Sequence, residues 1–501
     1  MPGSAPTLAP GDSSAVVHGP RDDELPALVI AWSDAEPDRV GEVALFDRDG
    51  GAQILGRGEG AGGRVRFCRQ RPGVLEPAAP LASPGISREQ LRVRLVGDRL
   101  HVERIGKCEL VVRGEHVDRA DIEPGEAILL RGQLVLYCTL RPRRIPALAS
   151  SSLADAPRFG EPDAYGIVGE SPAAWRLRDQ LAWLGKADHH TLILGGSGSG
   201  KELCARAIHA RSVRAAGPFV ARNAATIPRD LVDAELFGNV RGYPNPGMPE
   251  RPGLIGAAAR GTLFLDELGE LPHSLQANLL RVLDEDGEYH RLGAATASRS
   301  SFRLIGATNR ELAALKHDLG ARLVLRLEVP GVDDRRDDIP LLARHLLRRA
   351  AARSPEATAR FGAARGARDL RIKARLIMHL LQVRYPTNLR ELDAILWQAM
   401  AASPGDAITW RPGGPSAPLF APPTERPTER PAERPIDPPA EPLINRPAAR
   451  SPRACAPEPS QAQVRASLTE HRGNIARTAQ ALGLTSRYVL YRLMRKHGIG
   501  G

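Results

Sequence analysis

From residue 27 the chain alternates short apolar runs with polar breaks. ALVIAW, GEVALFD, LRVRLVGD, RLHVERI, CELVVRG, AILLRG and QLVLYCTLR are each strand-length, and GD, DG and PG dipeptides punctuate them. Short strands at close spacing with such turns predict an all-β sandwich over 27–142. The pattern changes at 166. Apolar strands within TLILGG, PFVARN, GTLFLDE and SFRLIGATN alternate with helical stretches to 333, which predicts an α/β unit on a parallel sheet. Residues 334–403 read as helical throughout, and a short helical unit at 461–499 closes the chain.

The remaining stretches carry no such periodicity. Residues 1–26 are rich in Pro, Gly, Ser and Asp and are expected to form a disordered tail. Residues 143–165 read as a linker. Residues 404–460 are proline-rich and include TERPTERPAERP, which cannot bury a core and predicts an extended, semi-stiff linker.

Composition narrows the setting. The five cysteines form no CxxC pair or zinc spacing, and their odd number suits free thiols in a reducing compartment. No apolar run approaches the ~18–20 residues of a membrane span, and the N-terminus lacks the apolar stretch of a signal peptide. A cytoplasmic protein with no membrane partner is expected. The net charge of +11 fits an anionic partner without naming it. Lysine occurs only six times in 501 residues, so each lysine is informative.

One lysine sits in LILGGSGSGKELCARAIH, which reads as strand, glycine loop and helix. Gly195, Gly200 and Lys201 fit G-x4-G-K, with Gly196, Ser197, Gly198 and Ser199 between them. Glycines let backbone N–H groups turn onto phosphate oxygens, and the helix N-terminus favours the same charge. Lys201 is placed to reach the β/γ-phosphates of a nucleotide. Glu202 stands where many such loops carry the Ser/Thr that binds Mg²⁺. A second strand, LFLDE, ends in Asp266, able to hold Mg²⁺ through water, and Glu267, able to polarise an attacking water. A third, RLIGATN, ends in Asn309, a polar tip able to sense the γ-phosphate.

These pieces, with IVGESPA, PFVARNAATIP, AELFG, LLRVLDEDGE, RRDDIPLLA and YPTNLREL, resemble the AAA+ domain of the sigma-54-dependent transcription activators over roughly 166–400. The resemblance implies ATP and Mg²⁺ as cofactors and assembly into a ring, commonly a hexamer. It implies that Asn223 is a switch holding Glu267, that Arg322 is an arginine finger acting on the neighbouring subunit's ATP, and that Arg390 is a sensor on a helical lid. The counterpart of a second finger arginine is Lys316, and Thr387 replaces the family's glycine before Asn388.

In that family the loop after ELFG carries Gly-Ala-Phe-Thr-Gly-Ala, which grips sigma-54. The same positions here are Gly242, Tyr243, Pro244, Asn245, Pro246 and Gly247. Two prolines fix φ and push Tyr243 and Asn245 toward extended geometry, so the displaying turn is not expected to form. The ATPase signature is intact while the output tip is rebuilt.

The two ends carry resemblances of their own. LTEHRGNIARTAQALGLTSRYVLYRLMRKHGI is similar to a Fis-type helix-turn-helix, which implies promoter-upstream DNA as partner. Asn474 and Thr485 or Ser486 are candidate caps and Gly483 the turn. Ser486, Arg487, Tyr488, Arg492 and Arg495 are the candidate DNA contacts. The N-terminal sandwich resembles a forkhead-associated (FHA) domain through ILGRG and SREQL. That implies a phosphothreonine protein as partner, held by Arg57, Ser87 and Arg88, with Gln90 and Cys108 departing from the reader's usual His and Asn.

The whole reads as an FHA-like sensor, an AAA+ ATPase with lid and a DNA-binding tail: an ATP-dependent transcription regulator with a degenerate sigma-54 loop. Two other readings stand beside it. One is a DNA-binding regulator that uses ATP to control assembly without touching RNA polymerase sigma-54 holoenzyme. The other is a phosphothreonine-binding adaptor with residual nucleotide binding.

Overall fold

The computed structural model describes residues 24–60, 63–228, 231–283, 287–309, 317–362, 369–411, 461–471, 478 and 481–482. Residues 1–23, most of the proline-rich linker, Lys316, Asn474, Gly483 and Thr485, and the candidate DNA contacts Ser486, Arg487, Tyr488, Arg492 and Arg495 lie outside the described residues.

The N-terminal region is a two-sheet β-sandwich. Its strands are β1 (Glu24–Ser33), β2 (Val43–Leu45), β3 (Gln53–Leu55), β4 (Cys68–Arg71), β5 (Val74–Pro77) and β6 (Leu91–Val96). They continue with β7 (Arg99–Arg104), β8 (Leu110–Val112), β9 (Glu115–Val117), β10 (Arg119–Ile122), β11 (Ala127–Leu130) and β12 (Leu134–Pro142). One sheet runs β5-β4-β2-β1-β12-β11-β8-β9 and the other β10-β7-β6-β3. β6 alternates buried and exposed residues because one face meets the core and the other meets water. β1 is buried along nearly its whole length, since its second face is covered by other parts of the chain. It begins at Glu24, three residues before the apolar run that marks it in sequence.

The second region is a five-stranded sheet ordered β14-β15-β18-β13-β19. Its strands are β13 (Thr191–Leu194), β14 (Phe219–Asn223), β15 (Thr262–Asp266), β18 (Arg303–Thr308) and β19 (Leu325–Glu328); a small hairpin of β16 (Glu288–Tyr289) and β17 (Ser298–Arg299) lies outside it. All pairings in the large sheet are parallel, and β15 and β18 are buried almost throughout, as strands covered on both faces must be. The helices are α1 (Pro172–Lys186), α2 (Lys201–Ala210), α3 (Val232–Phe237), α4 (Gly253–Ala257), α5 (His273–Val282) and α6 (His317–Arg322). Ser171 caps α1 by accepting the Ala174 N–H, and Pro172 at the first helical position needs no hydrogen-bond acceptor.

The lid follows as α7 (Ile339–Arg353), α8 (Pro355–Phe361), α9 (Ala374–Leu380) and α10 (Leu389–Ala402). It does not stop at 403. Ala407 and Ile408 are buried, and Ile408 pairs with Ile372, so the packed chain continues where the proline-rich linker was expected to begin. The lid core is continuous with the sandwich: Ala31, Trp32, Val40, Val135 and Tyr137 share one apolar cluster with Leu341, Ile377 and Leu380. A last helix, α11 (Gln461–Glu470), belongs to a separate unit of the chain.

Candidate functional site

β13 delivers the chain into the glycine loop and α2 carries it away. Gly198 and Gly200 have φ of 71° and 103°, a region open to glycine at no steric cost. A Cβ on Gly198 would stand 2.3 Å from the Thr387 carbonyl oxygen, so the loop is also pressed against the lid. Lys201 is buried at the start of α2 and donates from Nζ to the Gly195 and Gly196 carbonyls at 3.0 and 3.2 Å. Ser199 is buried too, and its Oγ has no hydrogen-bond partner. Glu202 is exposed on α2, where Arg206 engages its carboxylate at 2.8 Å. It is therefore turned to a surface ion pair of small energetic weight.

Three adjacent strands bring the remaining candidates to the same carboxyl end of the sheet, where open α/β sheets bind ligands. Asn223 and Asp266 are register partners across β14 and β15. Asp266 accepts the Glu267 N–H on Oδ1 at 3.0 Å. Glu267 itself has φ 53° and ψ 44°, a left-handed conformation costing a non-glycine residue about 1 kcal/mol or more. Asn223 uses its side-chain oxygen to accept the Ala225 N–H at 2.9 Å, and no hydrogen bond joins it to Glu267 here. Thr308 ends β18 opposite Leu194, the last residue of β13 before the glycine loop, and the exposed Asn309 follows it. Arg322 is exposed at the end of α6.

The lid closes the loop from above. Arg390 Nη1 donates to Ser197 Oγ at 2.8 Å, and Asn388 Nδ2 donates to the Ser197 carbonyl at 2.9 Å. Asn388 accepts the Val332 N–H on its other side at 2.9 Å, so one buried side chain joins the glycine loop, the lid and the segment 332–338 before α7, the hinge between sheet and lid. Sequence reasoning passed over Asn388; its signal was an asparagine within the motif that already supplied Arg390. Beside the loop is an apolar cleft lined by Ile167, Val168, Leu203, Leu346 and Leu389, with His345 and Arg349 at its polar side. Burial, then the neighbouring Arg349 and Arg348, lowers the His345 pKa and favours a neutral imidazole.

This arrangement fits a nucleoside triphosphate. The glycine cradle, the buried lysine and the unbonded Ser199 hydroxyl suit phosphates. The apolar cleft, about 50 Å³ as it stands, has the lining for a base but must widen to admit one. Asp266, with one oxygen committed to Glu267, retains acceptor capacity for the water shell of Mg²⁺. Among the described residues no cluster of three or more His, Cys, Asp or Glu could hold a metal by itself. No described helix is long and apolar enough to cross a membrane.

The loop at 242–247 forms a tight turn of its own, centred on Pro246 and Gly247, with Tyr243 outside it. Met248 N–H donates to the Asn245 carbonyl at 3.1 Å, and Gly242 N–H to Met248 at 2.8 Å. Asn-Pro-Gly-Met satisfies a type II turn, with proline at its second position and Gly247, at φ 94°, at its third. The prolines restrain their predecessors but also preset this turn. Below it, the buried Asn239 offers Nδ2 to the carbonyls of Val240, Tyr243 and Pro249 at 3.0–3.2 Å. Tyr243 lies on Gly293 of the neighbouring loop, where a Cβ would come within 2.6 Å of its ring. Arg291 and Glu250 pair across the same two loops.

In the sandwich, Gly56 passes directly over the 87–88 backbone; a Cβ there would lie 2.0 Å from the Arg88 carbonyl oxygen. Arg57 N–H donates to the Ser87 carbonyl at 3.0 Å, which gathers Arg57, Ser87 and Arg88 at one place. Arg57 Nε is buried without a hydrogen-bond partner. Gln90 is buried beneath them: its oxygen accepts the Ser87 and Cys108 N–H groups at 3.3 and 3.2 Å, and its nitrogen donates to the Cys108 carbonyl at 2.8 Å. Gln90 thus braces two loops. Arg64, which donates to the Arg88 carbonyl at 2.6 Å, and Lys107, whose N–H bonds Ser87 Oγ at 3.0 Å, add cations that the motif did not flag.

A family described as the Sigma-54 interaction domain matches residues 167–332, and the AAA+ ATPase lid domain matches 333–412. These residues form an AAA+ P-loop ATPase domain with its lid. A Nif-specific regulatory protein from Bradyrhizobium diazoefficiens is 38% identical over 49% of this chain and 41% of its own length. The anaerobic nitric oxide reductase transcription regulator NorR of Aeromonas hydrophila is 32% identical over 78% of this chain and 75% of its own. A crystal structure of NtrX from Brucella abortus in complex with ATP aligns over 66% of this chain and 69% of that chain, at 27% identity and a TM-score of 0.44. The chain spans about half the length of the DNA-binding transcriptional regulator NtrC of a Bradyrhizobium strain, at 39% identity. With such identity sustained over most of a regulator's length, and the nucleotide cradle in place, the chain belongs to the sigma-54-dependent transcriptional regulators.

Proposed function

We propose that this chain is an ATP-hydrolysing transcription regulator that works as a ring, binds promoter-upstream DNA through its C-terminal segment and reads a phosphothreonine protein through its sandwich. The observation that carries the ATPase part is the gathering of Lys201, Asp266, Glu267 and Asn309 at one end of a parallel sheet, under Asn388 and Arg390 of the lid. The loop amides and Lys201 bind the β- and γ-phosphates. Glu267 orients the attacking water and takes up its proton, with Asn223 one strand away to restrain it. Asn309 and Arg390 contact the terminal phosphate, and Arg322 reaches the ATP of the adjacent subunit. Mg²⁺, held through water by Asp266, neutralises phosphate charge when bound.

The DNA-binding reading rests on sequence: residues 461–499 carry seven Lys/Arg against one Glu, around the helix-turn-helix signature. Gel-shift measurements with and without 461–501 test it. Undiminished DNA binding after deletion would refute it.

A second reading concerns output. The loop at 242–247 is tied down by Asn239 and lies against Gly293, and it lacks the family's Phe-Thr tip. That favours a regulator in which ATP controls assembly on DNA and sigma-54 is not gripped. Transcription in vitro from a sigma-54 promoter, with purified protein, holoenzyme and ATP, separates the two readings. Open complexes support sigma-54 remodelling; ATP turnover without them supports the second reading.

A further inference from the structure

The sandwich reaches the backbone strips that flank the nucleotide site through one buried arginine. Arg141, at the end of β12, is 2% exposed and pairs with Asp337 of the hinge at 2.6 Å. The same guanidinium donates to the Glu170 carbonyl at 3.1 Å and to Gln70 Oε1 at 3.4 Å. Asp338, next in the hinge, is wholly buried. It accepts the Glu170 and Ser171 N–H groups at 2.7 and 2.9 Å and the Ser171 hydroxyl at 2.5 Å. A Cβ on Gly169 would stand 2.4 Å from Asp338 Oδ2, so glycine is what allows this approach. Arg335 then donates to the Val168 carbonyl at 3.1 Å.

These contacts share a geometry. Segment 166–171 and hinge 332–338 are two facing strips of backbone, and the apolar cleft lies against both, through Ile167 and Val168 on one side and Arg335 on the other. Asp338 and Arg335 join the strips directly, and Arg141 clasps both from the sandwich side. The hinge also holds the lid: Arg336 donates to the Leu381 and Val383 carbonyls at 2.8 Å, and Tyr385 N–H bonds Asp333 at 3.0 Å. A buried ion pair stabilises folding little by itself, but removing one partner leaves the other charge stranded.

We propose that Arg141 is a positioning residue for nucleotide binding: it holds Glu170 and Asp337 in fixed relation, and so sets the width of the base cleft from outside the ATPase domain. The inference rests on the ATPase reading for the identity of the ligand. Its consequence is reciprocal. Whatever shifts the sandwich on the hinge changes nucleotide affinity, and nucleotide shifts the sandwich by the same free energy.

The test uses the full-length chain and a fluorescent ADP, whose binding needs no ring and no turnover. Arg141→Met is expected to raise the ADP dissociation constant about tenfold, the effect of roughly 1.4 kcal/mol. Arg141→Lys keeps the charge opposite Asp337 but loses the forked contact to Glu170, and should raise it by a smaller factor. Leu100→Ala is the control. It opens the sandwich core from the four-stranded sheet, none of whose residues joins the apolar cluster of the lid, and should lower thermal stability while leaving the constant unchanged. An unchanged constant in both Arg141 variants would overturn the proposal, as would an equal rise in Leu100→Ala. Failure of the wild-type chain to bind ADP would instead refute the nucleotide-site reading.

Discussion

Arg390 of the lid donates to Ser197 Oγ of the glycine loop across 2.8 Å. The contact is one of three between these segments. Asn388 adds the Ser197 carbonyl, and Leu389 N–H donates to the Gly198 carbonyl at 3.2 Å. Lid and loop are therefore held by directional bonds, which makes lid position and phosphate geometry a single variable. Asn388 has φ 53°, so replacing it by alanine would add backbone strain to the loss of the amide. Asn388→Gly isolates the side chain. Losing its two bonds, at about 1 kcal/mol each, should speed release of bound nucleotide by up to roughly thirtyfold, read by stopped-flow. An unchanged release rate would show that the lid is held by packing alone.

Turnover should require two subunits. Arg322 is exposed at the end of α6, and the proposed mechanism places it on a neighbour's ATP. Arg322→Ala and Glu267→Ala should each lower kcat by about 10³-fold or more while nucleotide binding persists; Lys201→Ala should abolish binding. Mixing the Arg322 and Glu267 variants should restore part of the activity, because some interfaces then combine an intact arginine with an intact glutamate. No recovery on mixing, or turnover per subunit that is independent of protein concentration, would sink the assignment.

Much of this site was legible before any coordinates. The G-x4-G-K spacing and the Asp-Glu strand end are local signals, and a local signal survives in sequence because neighbouring residues carry it whole. Seven of the twelve sandwich strands were legible for the same reason, through apolar runs and turn dipeptides; β3, β4, β5, β9 and β10 are three or four residues long and too short or too polar to stand out. The clasp of Arg141 on Asp337 was not. It joins residues from different domains, and one arginine among 63 has no mark that it is buried. The Asn-Pro-Gly-Met turn shows two effects of proline at once: it restricts the residue before it, and it suits the second position of a type II turn, and only the first effect is read from a proline without its neighbours' geometry.

Acid should weaken the ATPase domain through His190. Its Nδ1 accepts the Leu304 N–H at 2.9 Å, a role only the unprotonated nitrogen can play. Burial, then the nearby Arg303 and Arg214, brings its pKa down from 6.5 to about 4. The folded value is the lower one. Its contribution is therefore complete above about pH 6.5 and is lost as pH falls toward 4. At pH 5 the loss is about 2 kcal/mol. Urea midpoints at pH 7.5 and 5 should differ more in the wild type than in His190→Asn, whose Oδ1 takes the place of Nδ1 and accepts the bond without titrating. Equal pH sensitivity in both would assign the effect to other groups.

Phosphothreonine binding should depend on Arg57 and survive the departure at Gln90. Gln90 braces Ser87 and Cys108 from within the core, so it supports the loops and need not touch a ligand. Arg57→Ala should remove charge-assisted bonds of about 1.5–3 kcal/mol to phosphate, and Arg64→Ala and Lys107→Ala should each cost less. Isothermal titration with a phosphothreonine peptide library gives the reading. Equal affinity for the unphosphorylated peptides, or none for any peptide, would leave the sandwich as a docked scaffold without this activity.

The loop at 242–247 should not drive sigma-54 open-complex formation. The family's mechanism needs a tip that moves with the nucleotide and presents an aromatic beside a threonine. Here the tip is a preset type II turn, its base is held by Asn239, and its one aromatic, Tyr243, lies on Gly293. Freeing such a tip means breaking the three contacts of Asn239 and unstacking Tyr243, several interactions of about 1 kcal/mol each. ATP hydrolysis should proceed regardless, because the loop lies outside the phosphate cradle. Rebuilding the tip by Tyr243→Ala, Pro244→Phe, Asn245→Thr, Pro246→Gly and Gly247→Ala should confer sigma-54 binding in the presence of a transition-state nucleotide analogue, read by native gel. Adding Asn239→Ala to the rebuilt tip should alter that binding further, since it removes the brace. Robust open complexes formed by the unaltered protein would show that a proline turn can grip sigma-54 after all, and the tip would then have to work without the mobility assumed here.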